Sequence, residues 1–370
     1  MRFPGRRDKI MDIEQVRAVL DSRAEPAFRF KQVLQAVYKD AISSYAEATA
    51  LPAGLRSALE QGAPLLSLKQ KLVKVSAEGN AHKAVLTLSD GTDIETVLLK
   101  PRPGPSWTVC ISCQVGCAMG CTFCATALMG LERSLKAEEI ADQVLFWKQY
   151  LRAGQAEGKL DHVVYMGMGE PFHCYDTVAK SLRMLMDPEL FAIADRHISV
   201  STVGVIAGMM RFCSDFPQVN LALSLHAAKD GLREELVPSA RAFPLERLAK
   251  ELGRTLEKNR RKIFLEYCLL AGENDDRDAA NALVRFIRST GRVDLLHVNL
   301  IAWNPTDTPH TVSSPEAVKE FRDFLRSRGI AVTIRKSLGT DIQGACGQLI
   351  TSEKKKAVGS ARRKHRPKSR

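Results

Sequence analysis

Residues 107–124 read Trp-Thr-Val-Cys-Ile-Ser-Cys-Gln-Val-Gly-Cys-Ala-Met-Gly-Cys-Thr-Phe-Cys, and this stretch decides the fold. Residues 107–112 have the apolar, β-branched character of a strand. A glycine-bearing loop follows at once and carries Cys117, Cys121 and Cys124 at C-x3-C-x2-C spacing. A ligand-holding loop at the end of a strand belongs to α/β architecture, where sites collect at the carboxyl ends of parallel strands.

Working outward, strands and helices alternate downstream of the loop. The pattern predicts strands at 107–112, 162–166, 197–202, 219–225, 262–269, 296–301 and 330–335. Helices are predicted at 136–151, 175–186, 205–214, 244–258, 277–289 and 315–328. Such alternation implies parallel βαβ units, and six or more units favour a barrel, complete or partial, over a flat sheet. Upstream, Lys100-Pro-Arg-Pro-Gly-Pro105 reads as a linker. Before it, residues 12–62 are helical in pattern. Asp12 caps a helix through Val16, Val19 and Leu20, a second spans Ala27–Lys39, and a third lies near Leu55–Gln61. KLVKVSA, AVLTLSD and DIETVLLK then read as an antiparallel meander within 69–100. The predicted organisation is an N-terminal accessory domain over 1–100, a core domain over 101–352 and a basic tail over 353–370.

Composition agrees with a globular enzyme-sized chain. Of 370 residues, 45% are hydrophobic and 26% charged, enough for a substantial core. No apolar run approaches about 18 residues, so no membrane span is expected. The start MRFPGRRDKIMDIEQ lacks the apolar stretch of a secretory signal, and a cytoplasmic location is the expectation. Net charge is +12, and the tail from Glu353 holds nine Lys/Arg against one Glu. A disordered, solvated tail of this kind can still neutralise phosphates, so an anionic partner is favoured. Cysteines number nine, five of them between Cys110 and Cys124. An odd count without a secretion signal argues against a disulfide scaffold and for metal or redox chemistry.

Three thiolates on one loop can hold three irons of a [4Fe–4S] cube and leave the fourth iron open, whereas electron-shuttling clusters usually have four protein ligands. Structural zinc is the competing use. It needs a second ligand pair, and none is visible beyond a lone His173. Inert buried thiols are the third. Gly167-Met168-Gly169-Glu170, after the strand 162–166, combines close backbone approach with a carboxylate suited to a cationic amine. Taken singly, His226, Asn304, Cys110 and Cys346 carry little: a lone His is more often structural, and a lone Cys is more often a small buried hydrophobe.

Taken together, the motifs are more specific. Val109-Cys-Ile-Ser-Cys-Gln-Val-Gly-Cys117 through Phe123-Cys-Ala-Thr126, Val164-Tyr-Met-Gly-Met-Gly-Glu-Pro171, Ser199-Val-Ser-Thr202, Leu223-Ser-Leu-His226, Val298-Asn-Leu-Ile301, Trp303-Asn-Pro305 and Asp341-Ile-Gln-Gly-Ala-Cys-Gly-Gln-Leu349 occur in one order. In this respect the chain resembles the RlmN/Cfr family of radical S-adenosylmethionine (SAM) RNA methyltransferases, from about Glu25 to Leu349. The resemblance implies a partial (β/α) barrel of radical SAM type with a small N-terminal accessory domain of helices and antiparallel strands. It implies one [4Fe–4S] cluster on Cys117, Cys121 and Cys124 with exchangeable SAM at the open iron. SAM contacts would come from Gly169, Glu170, Ser201, Ser224, Leu225, His226 and Asn304.

The implied chemistry methylates an electrophilic adenine ring carbon. Cys346 takes a methyl from one SAM, and a second SAM supplies the radical that activates this methyl for addition. Cys110 then forms a transient disulfide with Cys346, Glu95 accepts the ring proton, and two SAM are consumed per methylation. The implied substrate is 23S ribosomal RNA, with transfer RNA as a further target. The implied partners are RNA and an electron-donating reductant such as flavodoxin, with no membrane and a monomeric chain. Arg29, Lys31 and Lys39 and the tail could hold RNA backbone. Cys113 stands where the family more often has Ser and reads as a non-ligand thiol. Segments 187–191, 202–204 and 217–220 look closer to the C8-methylating branch, whereas Glu170-Pro171 and Trp303-Asn304 look closer to the C2 branch. C2 is favoured and C8 is the alternative. Two other functions stay open: a radical SAM enzyme with a non-RNA substrate, and a non-enzymatic RNA-binding protein with structural zinc.

Overall fold

The linker at 100–105 does not interrupt the sheet. In this computed structural model, which describes residues 13–350, the meander strands β1 (Leu68–Val75), β2 (Ala81–Leu88) and β3 (Asp93–Leu99) pair antiparallel. β3 then pairs antiparallel with β4 (Ser106–Cys110), Leu98 opposite Val109. Asp12, expected to cap the first helix, and the basic tail from Glu353 lie outside the described residues.

Beyond β4 a hairpin of β5 (Gln114–Gly116) and β6 (Leu131–Ser134) encloses the cysteine loop. The remaining strands are β7 (Lys159–Tyr165), β8 (Ile198–Thr202), β9 (Asn220–Ser224), β10 (Ile263–Leu269), β11 (Leu296–Ala302) and β12 (Ala331–Ile334). They continue from β4 in sequence order, all parallel, and complete a ten-stranded sheet. The helices are α1 (Ile13–Ser22), α2 (Phe28–Leu34), α3 (Ala53–Gly62), α4 (Ala137–Arg152), α5 (Tyr175–Met186), α6 (Ile206–Asp215), α7 (Asp230–Leu236), α8 (Leu245–Asn259), α9 (Arg277–Ser289) and α10 (Pro315–Ser327). From α4 onward they are the crossovers that parallel pairing requires.

Local chemistry accounts for these elements. α8 buries Leu245, Leu248, Ala249, Leu252 and Leu256, a spacing of three and four that puts one stripe on the sheet. Asp276 caps α9 by accepting from Ala279 N–H at 2.7 Å. β10 is apolar but for Glu266, as befits a central parallel strand covered on both faces. α4 ties the segments between the N-terminal helices and β1 to the core: Asp142 accepts from Ser67 N and Oγ, both at 2.7 Å, and Gln149 Nε2 donates to Ile42 O at 2.7 Å. One apolar core accordingly runs from Val16 to Leu349.

β12 and β1 are opposite edges of the sheet, so β-pairing does not close it. Residues 335–350 return across the gap instead. Asp341 accepts from Ala77 N at 2.9 Å, Gln343 O accepts from Lys83 Nζ at 3.2 Å, and Ile350 N donates to Glu95 Oε2 at 3.0 Å. Leu338 and Ile342 pack with Ala81 of β2. The predicted partial barrel is thus an open sheet with a non-repetitive strap over its mouth.

Three expectations change in detail. β1 and β2 begin about three residues before the apolar alternation; β1 is an exposed edge with a bulge between Gln70 and Leu72, so its polar residues still pair. The helix expected over 27–39 is α-helical only to Leu34 and finishes as a π-helical turn, Gln35–Lys39, with Asp40 N donating to Gln35 O. β5, β6 and α7 were not predicted, being too short for periodicity to register.

The hairpin depends on Gly116. Its φ is +79°, and a Cβ there would lie 1.8 Å from Gly130 O. The same carbonyl accepts from Cys117 N at 2.9 Å and closes the cysteine loop. Gly116→Ala is therefore expected to cost at least about 2 kcal/mol through strain and clash. Denaturant unfolding monitored by circular dichroism checks it; an unchanged midpoint would refute the close packing.

Candidate functional site

The cysteine loop lies over the carboxyl ends of the parallel strands and is held from several sides. Thr122 N donates to Leu236 O at 3.0 Å, Ala125 N to Gly347 O at 2.7 Å, and Trp303 Nε1 to Phe123 O at 3.0 Å. Cys117, Cys121 and Cys124 line one cleft with Gly169, Glu170, Ser201, Ser224, His226 and Cys346. Loop spacing and strand ends separated in sequence by more than 200 residues therefore converge on one space.

Each member is positioned by a specific contact. Gly169 has φ +105°, and a side chain there would collide with Gln114 and Cys113. Glu170 is buried; its Oε1 accepts from Phe172 N at 3.1 Å and Oε2 from Val203 N at 2.9 Å, while burial pushes its carboxyl up to about 7. The hydroxyls of Ser201 and Ser224 meet at 2.9 Å. His226 adopts φ +58°, its Nδ1 accepts from Cys268 N at 3.1 Å, and its ring stands edge-on to Phe123. Burial and nearby Arg233 hold its pKa down to about 3, so the imidazole is neutral with its proton on Nε2.

Two expected SAM contacts stand differently. Leu225 packs into the core and is absent from the cleft wall; its N–H donates to Glu266 O at 3.0 Å. Asn304 is buried behind the wall, where its Nδ2 donates to Cys346 O at 3.0 Å. It positions the cysteine backbone in this conformation.

A second chamber adjoins the first and is lined by Cys110, Thr108, Pro101, Lys336 and Cys346. Cys346, Met166, Ile301, Arg335 and Leu349 line both, so they form the partition. Cys346 is accessible from the cavities yet enclosed by protein, and burial pushes its thiol up to about 11, with Arg335 pulling it back. Cys110 is pushed up to about 12 by burial and by proximity to Cys346. Glu95 reaches neither chamber. Its Oε1 pairs with Lys83 Nζ at 3.0 Å and its Oε2 takes the Ile350 N–H; burial raises its carboxyl despite Lys83. Cys113 is also off the cleft wall, its thiol facing Cys174.

Sequence reasoning missed Arg335 and Glu266. Arg335 Nη1 donates to Glu266 Oε2 at 3.0 Å, and Asn299 Nδ2 donates to Glu266 Oε1 at 2.8 Å. A carboxylate inside an otherwise apolar strand was the available signal.

The donor set fits an iron–sulfur cluster. Burial pushes Cys117 up to about 12 and Cys121 well above the ordinary thiol range, so the thiolates need a bound cation to form. Among the described residues, no three His, Cys, Asp or Glu side chains are arranged to chelate a single ion. A cube that takes one thiolate per iron does not require the three sulfurs to converge on one point.

The radical SAM superfamily profile matches residues 111–283. The chain is 39% identical over 354 residues to the probable dual-specificity RNA methyltransferase RlmN of Symbiobacterium thermophilum, covering 94% of this chain and 92% of that one. It is 36% identical over 342 residues to the ribosomal RNA large subunit methyltransferase Cfr of Lachnoclostridium phytofermentans, covering 91% and 97%. The crystal structure of a radical SAM methyltransferase from Sphaerobacter thermophilus superposes with a TM-score of 0.85 at 37% identity, covering 93% of this chain and 99% of that one. With a shared fold, a shared profile and this identity along nearly its whole length, the chain belongs to the RlmN/Cfr family of radical SAM RNA methyltransferases.

Proposed function

We propose that this chain methylates a ring carbon of adenine in ribosomal RNA, and in transfer RNA as a second substrate. The observation that carries the reading is the placement of Cys346. It faces the cleft that holds Cys117, Cys121 and Cys124, and it also faces the chamber that holds Cys110. A thiol in that wall can receive a methyl group on one side and present it to a base on the other.

Cys117, Cys121 and Cys124 would hold the cluster. When bound, the [4Fe–4S] cluster and SAM supply the methyl group and the one-electron chemistry that side chains lack. The protein's part is position and proton control. Gly169 leaves room for close backbone approach, and the Ser201–Ser224 pair and the Nε2–H of His226 offer polar contacts to SAM. Glu170, held by the Phe172 and Val203 N–H groups and by the Thr202 hydroxyl, lines the cleft and would meet an amino group there. Arg335, on the partition, favours the thiolate of Cys346 and is aimed by Glu266. Cys110, across the second chamber, would resolve the adduct by disulfide formation, with two SAM consumed per methylation. Glu95 would take the ring proton once the strap that bears Cys346, and that covers it through Ile350 N–H, has shifted, since in this arrangement it faces neither chamber.

C2 is the better-supported carbon. Glu170, Pro171 and Trp303, which resemble the C2 branch, line the cleft, and Asn304 holds the Cys346 backbone. Of the segments resembling the C8 branch, only 202–204 reaches the cleft; 187–191 and 217–220 do not.

Nucleoside mass spectrometry of ribosomal and transfer RNA from cells with and without the gene should report 2-methyladenosine only where the gene is present. 8-Methyladenosine instead would overturn the carbon assignment, and neither product would overturn the substrate. Cys346→Ala should lower methylation by more than about 10³-fold with iron and sulfide content unchanged; methylation at the wild-type rate would sink the role given to this thiol. Glu95→Gln should leave a methyl group on Cys346, visible by protein mass spectrometry, while blocking RNA methylation. A variant that methylates RNA normally would remove Glu95 from the scheme.

A further inference from the structure

We propose that Glu273 and His310 form a positioning pair that fixes the cysteine loop through the hydroxyl of Thr122. The inference rests on Cys117, Cys121 and Cys124 being the cluster ligands.

Between the second and third cysteines the chain has only Thr122 and Phe123. Their backbone sets the directions in which the Cys121 and Cys124 sulfurs point. Phe123 is held at its carbonyl by Trp303 and at its ring by His226, with centroids 4.7 Å apart. Thr122 is held differently. Its Oγ1 lies 3.0 Å from His310 Nε2, and His310 Nδ1 lies 2.6 Å from Glu273 Oε1. Carboxylate, imidazole and hydroxyl therefore stand in a line that ends on the loop.

The pair is built into the fold. Glu273 belongs to the loop after β10, and His310 to the loop after β11. Those loops are stitched together by the Leu270–Val312 bridge, by Ala271 N donating to Thr311 O at 2.9 Å, and by Ser313 Oγ donating to Asp275 Oδ2 at 2.7 Å. The His310 side chain is only 8% exposed, and its ring stands edge-on to Trp303 and Phe123. A carboxylate accepting from Nδ1–H orients the ring and leaves Nε2 to accept from the threonine hydroxyl, whose other acceptor, Leu236 O, lies farther away at 3.5 Å.

None of the three residues lines the cleft, so contact with SAM does not explain the arrangement. What it resembles chemically is the outer layer of a metal site, where a carboxylate aims an imidazole. Here the imidazole acts on the chain between two ligands. Loss of such outer partners commonly costs ten- to a hundredfold in metal affinity or activity.

The test uses the full chain, reconstituted anaerobically with iron and sulfide, and follows iron release to a ferrous chelator with electron paramagnetic resonance of the reduced cluster alongside. Thr122→Val, which keeps the shape and removes the hydroxyl, and His310→Ala should each speed iron loss by about tenfold and alter the resonance. The double variant should be no faster than the faster single, because both changes break one linkage. His310→Gln, which keeps a hydrogen-bonding group near Thr122, should recover most of the wild-type rate. Wild-type rates in Thr122→Val, or multiplying effects in the double variant, would overturn the inference while leaving the cluster assignment standing. A wild-type chain that assembles no four-iron cluster would overturn both.

Discussion

Hydrogen bonds from residues 335–350 to the far edge of the sheet make an enclosed site out of an open one. Seven parallel strands curl without closing, and the strap closes the mouth at Ala77, Lys83 and Glu95. It also touches the cysteine loop, through Gly347 O to Ala125 N and Leu349 O to Thr126 Oγ1. Each of these bonds stabilises by only about 1 kcal/mol net. Their collective effect is geometric: they set Cys346 between two chambers.

Electrostatics at that partition follow from burial. Protein that excludes water disfavours every charged form, so the thiols of Cys110, Cys117 and Cys346 all rise. Reactivity then depends on local positive charge. A metal would supply it at the loop cysteines, and Arg335 supplies it at Cys346. Arg335 can be held there because Glu266 accepts from it and Asn299 in turn fixes Glu266. A charged residue buried in β10 is costly alone and tolerable in this set.

Much of this was legible in the sequence, for identifiable reasons. Short apolar runs and three-to-four spacing located every parallel strand and each long crossover helix, because a strand covered on both faces is apolar throughout and a crossover helix buries one stripe. The cysteine loop and the glycine-rich turn at 167–170 were legible because their chemistry is local in sequence. Glu95 was assigned by resemblance, and its pairing with Lys83 across adjacent strands is a register fact that spacing does not encode. Arg335, Glu266, and the meeting of Glu273 with His310 depend on which loops the fold lays side by side. Leu225 stood in a motif whose neighbours face the cleft, and strand alternation turned its side chain the other way.

The outermost strand of the meander has a colloidal consequence. Among the described residues, β1 leaves one ladder of backbone groups unpaired, the kind of template on which another molecule could grow a strand. Lys69, Lys71 and Lys74 stand exposed along it, and the bulge at Gln70–Leu72 breaks its flatness. An incoming strand would have to strip water from Lys69 and Lys74, pass the Lys71–Asp93 ion pair and follow an irregular rail, so end-to-end stacking of copies through this edge is opposed by the same residues that finish the sheet.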